Sequence, residues 1–163
     1  MKKLFLLSIL VLGISTQFQV TAQTKQKAEE TFLNLLNKIV KNSDDPCGYL
    51  KNNPGIIEIP FNIDSKGILS ITFKDTVKQE RTRFTAPFKK INKLDILWGS
   101  TVAFYFKSSC TIISVSHKDG EPYQKRVWRN TFPIDILKKG MSWEEYPYRK
   151  ELDAALKDLL KYY

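Results

Sequence analysis

The side chains best placed to do chemistry in this sequence are guanidinium groups beside aromatic rings. Arg126, Trp128 and Arg129 fall within seven residues that also hold Tyr123 and Lys125. Arg81 and Arg83 stand two apart on another segment, with Lys89, Lys90 and Lys93 close behind. A guanidinium presents a planar fork of donors that fits carboxylate and phosphate, and a neighbouring ring adds a face for stacking or for a cation. The pattern suits an anionic lipid head group or a glycan. Single-stranded nucleic acid would also stack on it. Alternation along a strand, however, puts Arg126 and Trp128 on one face and Lys125, Val127 and Arg129 on the other, which argues against the dense patch that nucleic acid needs. The plainer reading of these residues is a solvated strand face with Trp128 buried.

Catalytic constellations are weaker. His117 is the single histidine, and His is the commonest general acid–base. Ser114, Ser116 and Asp119 lie near it only along the chain, just before a predicted hairpin turn, so it reads as an exposed turn residue. A Cys47–His117 thiolate pair would be abolished by a bond between Cys47 and Cys110. The doublets Asp44-Asp45 and Glu144-Glu145 do not reach across a sugar as a glycosidase requires. They read as helix-stop residues and as favourable charge before a helix N-terminus. CxxC, HExxH, EF-hand and phosphate-loop spacings do not occur in the sequence, and each is what its metal or nucleotide demands. The expectation is a non-enzymatic protein without cofactor or metal.

The address is the clearest inference. Lys2 and Lys3 precede an apolar run at residues 4–14, and Val20-Thr21-Ala22 supplies small residues before Gln23. That order is a secretory signal cleaved after Ala22. The run is shorter than the roughly 20 residues a membrane span needs. The expected division is a signal peptide at 1–22 and one domain at 23–163, in the periplasm or outside the cell, without a transmembrane anchor. The whole sequence holds 26 basic and 17 acidic side chains. The signal removes two lysines and no acids, which leaves 24 against 17 and a formal charge of +7. Such a charge draws anionic partners and also keeps a protein in solution. Cys47 and Cys110 are the two cysteines, and in an oxidising compartment they are candidates for a disulfide, worth about 4 kcal/mol in a chain-entropy account. Two buried free thiols are the alternative.

Positioning elements follow from periodicity. Ala28, Phe32, Leu35, Leu36, Ile39 and Val40 recur at helical spacing over residues 24–42, and Pro46 ends the run. From residue 56 the period is two. Ile57, Ile59, Phe61 and Ile63 alternate, with Pro60 marking an edge strand or a bulge. A turn at Asp64-Ser65-Lys66-Gly67 leads to Leu69, Ile71 and Phe73, and Phe84, Ala86 and Phe88 make a third strand. Residues 89–98 suit neither period. Strands are expected at 101–106, 111–116 and 125–132, the last two joined through Asp119-Gly120, with 133–146 irregular. Pro147 opens a final helix whose stripe is Leu152, Ala155, Leu156, Leu159 and Leu160.

The fold class is therefore α+β: an N-terminal helix, an antiparallel sheet of about six or seven strands curled into a sandwich or small barrel, and a C-terminal helix. In element order, residues 56–163 resemble a pleckstrin-homology-like barrel, and that resemblance implies a fold without a function. Two function classes remain. An exported binding module for an anionic or amphipathic ligand would use a pocket lined by Phe61, Phe73, Phe84, Phe88, Trp98, Phe104 and Phe106, for which the plainer alternative is that these residues simply fill the core, or Arg81, Arg83, Arg126, Trp128 and Arg129. A protein-interaction module would use a strand edge or the tail Leu159-Leu160-Lys161-Tyr162-Tyr163 to hold an envelope protein. A hydrolase is the third class.

Overall fold

A computed structural model describes residues 24–43, 55–97, 101–116, 121–138 and 140–163, with the backbone alone at residues 97, 125–128 and 136. The expected signal peptide, Asp44-Asp45, Cys47, Trp98 and His117 lie outside the described residues. Helix α1 (residues 24–42) precedes β1 (Gly55–Ile63), β2 (Ile68–Asp75), β3 (Arg81–Pro87), β4 (Ile91–Leu97), β5 (Thr101–Phe106), β6 (Thr111–Ser116), β7 (Gln124–Arg129), β8 (Thr131–Ile136) and helix α2 (Arg149–Leu160). These strands form two antiparallel sheets, in the orders β1-β2-β3-β6-β7 and β4-β5-β8.

The two sheets are one meander bent over. β3 runs into β4 through a short 3-10 turn, Phe88–Lys90. β5 reaches β6 through residues 107–110, and β7 reaches β8 through Asn130 alone. β3 pairs with β6 while β4 pairs with β5, and β6 pairs with β7 while β5 pairs with β8. Three long strands are thus folded at a corner, and their far halves make the second sheet. Among the described residues no pairing closes them into a barrel. The expected segment 125–132 is accordingly two strands, split at Asn130, whose carbonyl accepts from Phe106 N at 2.8 Å. The expected irregular stretch after Pro133 is strand as far as Ile136. β8 is an edge strand and its register shifts opposite Val102 and Ala103, which is where a proline without an N–H is tolerated. The ambiguous residues 89–98 resolve into the 3-10 turn followed by β4.

One core joins both sheets and both helices. Leu69, Ile71 and Phe73 of β2, Phe84 and Ala86 of β3, Phe104 of β5, and Phe132 and Ile134 of β8 are buried with Phe32, Leu36 and Ile39 of α1 and Leu152, Leu156 and Leu159 of α2. Ring centroids meet across it: Phe84 with Phe132 at 5.8 Å, Phe61 with Phe132 at 5.8 Å, and Phe32 with Phe88 at 5.3 Å. Of the aromatic residues expected to line a pocket, Phe61, Phe73, Phe84, Phe88, Phe104 and Phe106 fill the core instead, because α1 inserts Phe32 into the curl of the sheet.

Pro60 shows how the first strand is held. β1 is an edge strand with register shifts between Ile57 and Ile59 and between Ile59 and Asn62. The simple alternation breaks there, leaving Phe61 buried and Ile59 39% exposed. Asn37 on α1 substitutes for a strand partner: its Oδ1 accepts from Phe61 N at 2.7 Å and its Nδ2 donates to Phe61 O at 3.1 Å. The C-terminal tail is packed rather than presented. Leu159 is buried, and the Tyr163 ring lies 5.1 Å from Phe88 and covers the turn at Gly67. Gly67 has φ +73°, and a Cβ there would come within 2.6 Å of that ring, so glycine is required on both counts. Among the described residues no helix is long and apolar enough to cross a membrane.

Candidate functional site

The outer face of the five-stranded sheet is built from the residues that alternate with the core. Ser70, Thr72 and Lys74 of β2 pair with Thr85, Arg83 and Arg81 of β3, which in turn face Ile112, Ser114 and Ser116 of β6. The sequence puts a cation or a hydroxyl at nearly every position on this side, and a phenylalanine, aliphatic residue or alanine at most positions on the other. Arg81 Nε donates to both oxygens of Glu58, at 2.7 and 2.6 Å. Arg83 is held differently. Its Nε donates to Thr72 Oγ1 at 3.3 Å and its guanidinium carbon lies 4.3 Å from the centre of the Tyr123 ring.

Beside Arg83 lies a depression of about 290 Å³ lined by Ile59, Asn62, Asp64, Ile68, Ser70, Thr72 and Thr85. Ser70 Oγ donates to Asn62 Oδ1 at 3.0 Å, and Asp64 Oδ1 accepts from the backbone of Lys66 and Ile68. The walls are thus set by internal bonds. Ile59 and Ile68 supply apolar area, Thr85 and Ser70 supply hydroxyls, and Arg83 supplies the charge.

The residues singled out by sequence separate into groups. Arg81 and Arg83 share this face. For Arg126 and Trp128 the backbone places Trp128 opposite Ile112, and the register shifts between Ile113 and Ser114 at Arg126. Lys125 pairs with Ser114 and Val127 with Ile113. These partners lie on opposite faces of β6, so the strict alternation expected for 125–129 fails at that bulge. Arg129 pairs with Thr111 at the end of β7 and is half-buried. Lys89 and Lys90 sit in the corner turn, and Lys93 lies on β4 of the other sheet, where it pairs with Asp95. Cys110 carries a free, buried thiol, pushed up by burial and only partly drawn back by Lys90. With Cys47 outside the described residues, the expected bond between them gains no support. Glu144 pairs with Arg149 at 3.5 Å, and Glu145 accepts from Ser142 N at 2.8 Å, so both serve the entry to α2.

A second concavity was not foreseen. A cleft of about 190 Å³ opens between the last turn of α1, the end of β8 and the approach to α2, lined by Ile39, Asn42, Leu137, Met141, Tyr148 and their neighbours. Asp135, 6% exposed, stands in it, and the buried Tyr146 donates to its Oδ2 at 2.8 Å. Burial, reinforced by the Asp135 charge, pushes the Tyr146 phenol far above its usual range. Tyr146 therefore stays a donor at every working pH. The available signal was an acid inside the apolar run Ile134-Asp135-Ile136-Leu137, but only the bend at Asn130 shows that this run is strand.

Among the described residues no group of three or more His, Cys, Asp or Glu side chains could hold a metal ion. Comparison with known protein families, with curated proteins and with solved structures found no match.

Proposed function

We propose that the protein is an exported, non-enzymatic binding module of the cell envelope whose ligand is an anionic glycan seated on the outer face of the five-stranded sheet. The carrying observation is Arg83. A guanidinium clamped between Thr72 and the Tyr123 ring has its plane fixed before the ligand arrives, which lowers the ordering cost of binding. Its fork suits the carboxylate or sulfate of an acidic sugar. The adjoining depression offers Ser70 and Thr85 to sugar hydroxyls and Ile59 to the apolar side of the ring. Arg81 supports the field, while Glu58 takes its direct charge.

The test is titration calorimetry with oligogalacturonate against a neutral malto-oligosaccharide of equal length. Saturable binding of the acidic probe alone, weakened about tenfold or more by Arg83→Gln, is the expected result. Equal binding of both probes, or an Arg83→Gln variant that binds as before, would overturn the reading. Export is tested separately by the mass of the protein made with its own leader, which should begin at Gln23.

A second reading rests on β1. It is an edge strand with Ile56 53% exposed and Ile59 39% exposed, which suits strand addition by an envelope protein. A Lys substituted for Ile56 would weaken that contact and leave glycan binding unchanged.

A further inference from the structure

We infer that the depression beside Arg83 selects two adjoining sugars of which one is acidic and the other uncharged, and that Asp64 sets this choice. The inference rests on the reading of Arg83 as the seat of an acidic sugar. The strand register lays the depression out in order. Ile59 pairs with Thr72, whose other neighbour is Arg83. Asn62 pairs with Ser70, which faces Thr85. Asp64 N donates to Ile68 O at 3.1 Å, so Asp64 stands beside Ile68 at the far end. The strand from Ile68 to Thr72 spans about 13 Å, more than one sugar ring. The volume of about 290 Å³ is near twice the roughly 150 Å³ that admits one benzene ring, so a disaccharide fits. Each end offers a ring the same kind of support, an isoleucine for its apolar side and one charged group. Asn62, Ser70 and Thr85 lie between for the hydroxyls.

The two charged groups have opposite signs and opposite hydrogen-bonding capacities. The Arg83 guanidinium only donates, and it takes a carboxylate. An ionised carboxylate such as that of Asp64 only accepts, and it takes a hydroxyl or an amide N–H. Asp64 Oδ1 accepts from the backbone N–H groups of Lys66 and Ile68, each at 2.9 Å. The carboxylate is therefore oriented before the ligand arrives, and its other oxygen is left to the sugar. A second acidic sugar at that end would set two acceptor-only anions face to face. Repulsion of this kind sets specificity as much as attraction does. Among the described residues no lysine lines the depression to relieve it. Lys25, in the neighbouring concavity on the other side of Asp64, pairs with Glu29 at 3.7 Å.

The experiment is a two-dimensional NMR titration of the mature protein with digalacturonate, its two monomethyl esters and its dimethyl ester, which share one sugar skeleton. The better monomethyl ester should give saturable shifts at Ile59, Ile68 and Ser70 with a Kd on the order of 1 mM. Digalacturonate should bind about fivefold more weakly or worse, as one added repulsion between surface charges predicts. The dimethyl ester, with nothing for Arg83, should bind weakest. Asp64→Asn keeps an Oδ1 for the turn and should bring digalacturonate level with the monoester. Should that variant fail to fold, the ester series on the native protein decides the matter alone. Digalacturonate binding as tightly as the better monoester, or an unchanged preference in folded Asp64→Asn, would overturn the inference and leave Arg83 as an anion site. Binding of the dimethyl ester as tight as that of the monoester, or no saturable shift with any of the four, would overturn it together with the acidic-glycan reading.

Discussion

The two faces of the five-stranded sheet are made by the same strands and held by different forces. On β2 and β3 the inward residues Leu69, Ile71, Phe73, Phe84 and Ala86 are buried. Their position is decided by apolar area, at about 25 cal/mol per Å² removed from water. The outward residues Ser70, Thr72, Arg81 and Arg83 are tied by directional bonds to Asn62, Glu58 and Tyr123. Non-directional burial gives the inner face its stability. Directional bonds give the outer face a fixed arrangement of donors and acceptors, which is what recognition needs. Changes to the inner face should therefore cost folding energy, and changes to the outer face should cost little of it.

The sharpest test is Phe132→Ala. The ring is fully buried and lies 5.8 Å from both Phe61 and Phe84, so its loss leaves a cavity where β8 meets the sheet. Urea unfolding should show a loss of about 3–5 kcal/mol with an unchanged m-value.

Tyr146→Phe is the next largest, because it removes one donor from a buried carboxylate at the cost of about 2 kcal/mol. It also carries a pH signature. An unfolded tyrosine ionises near pH 10, while burial and the Asp135 charge hold the folded phenol neutral well above that. Below about pH 10 its contribution is therefore fully present. Above it the folded state keeps a proton the unfolded state has lost, and stability falls by about 1.4 kcal/mol per pH unit from this group. Unfolding curves at about pH 9 and about pH 11 should show a steep decline in the native protein and a shallower one in Tyr146→Phe. Equal declines would remove Tyr146 from the account.

These two residues also mark what could be read from the sequence. Alternation in Leu69, Ile71 and Phe73 and in Phe84 and Ala86 places both faces of β2 and β3 without coordinates, since a half-buried strand repeats every two residues. The helices follow from spacing in the same way. The corners do not. Asn130 divides a continuous strand pattern between two sheets, because a bend of one residue leaves the apolar periodicity almost intact. Arg81 and Arg83 were legible as a shared face, whereas Arg126 lies at a register shift that no local pattern announces. The Asp135–Tyr146 pair was illegible because its members are joined only by the fold, and an isolated acid in an apolar run has no periodic signature.

Asn37→Ala tests whether a single polar residue can matter as much as a core contact. Asn37 supplies both hydrogen bonds to the Phe61 peptide, where Pro60 and the flanking register shifts interrupt the β1–β2 ladder. Its removal leaves a part-buried N–H and C=O to find water, and a loss of about 1–2 kcal/mol is expected. Hydrogen exchange should localise it, with Phe61 N–H losing protection while Phe84 keeps its own. Protection that falls evenly across the sheet would mean that Asn37 acts through α1 packing and not through the strand.

The smallest effect is expected at the Arg81–Glu58 pair, and it bears most directly on the division between faces. Both side chains are partly buried, at 19% and 26% exposure, and the contact is 2.6 Å. Coulomb attraction gains from that burial, but each ion also gives up hydration, and side-chain order must be maintained. The net coupling for such pairs is about 1 kcal/mol or less. A double-mutant cycle of Arg81→Ala and Glu58→Ala, read by urea unfolding, should return a coupling in that range that shrinks as salt is added. A coupling several times larger would mean that the outer face contributes to stability as the inner face does. In that case Arg81 would be a folding residue, Glu58 its obligatory partner, and Arg83 alone would carry the charge offered to a ligand.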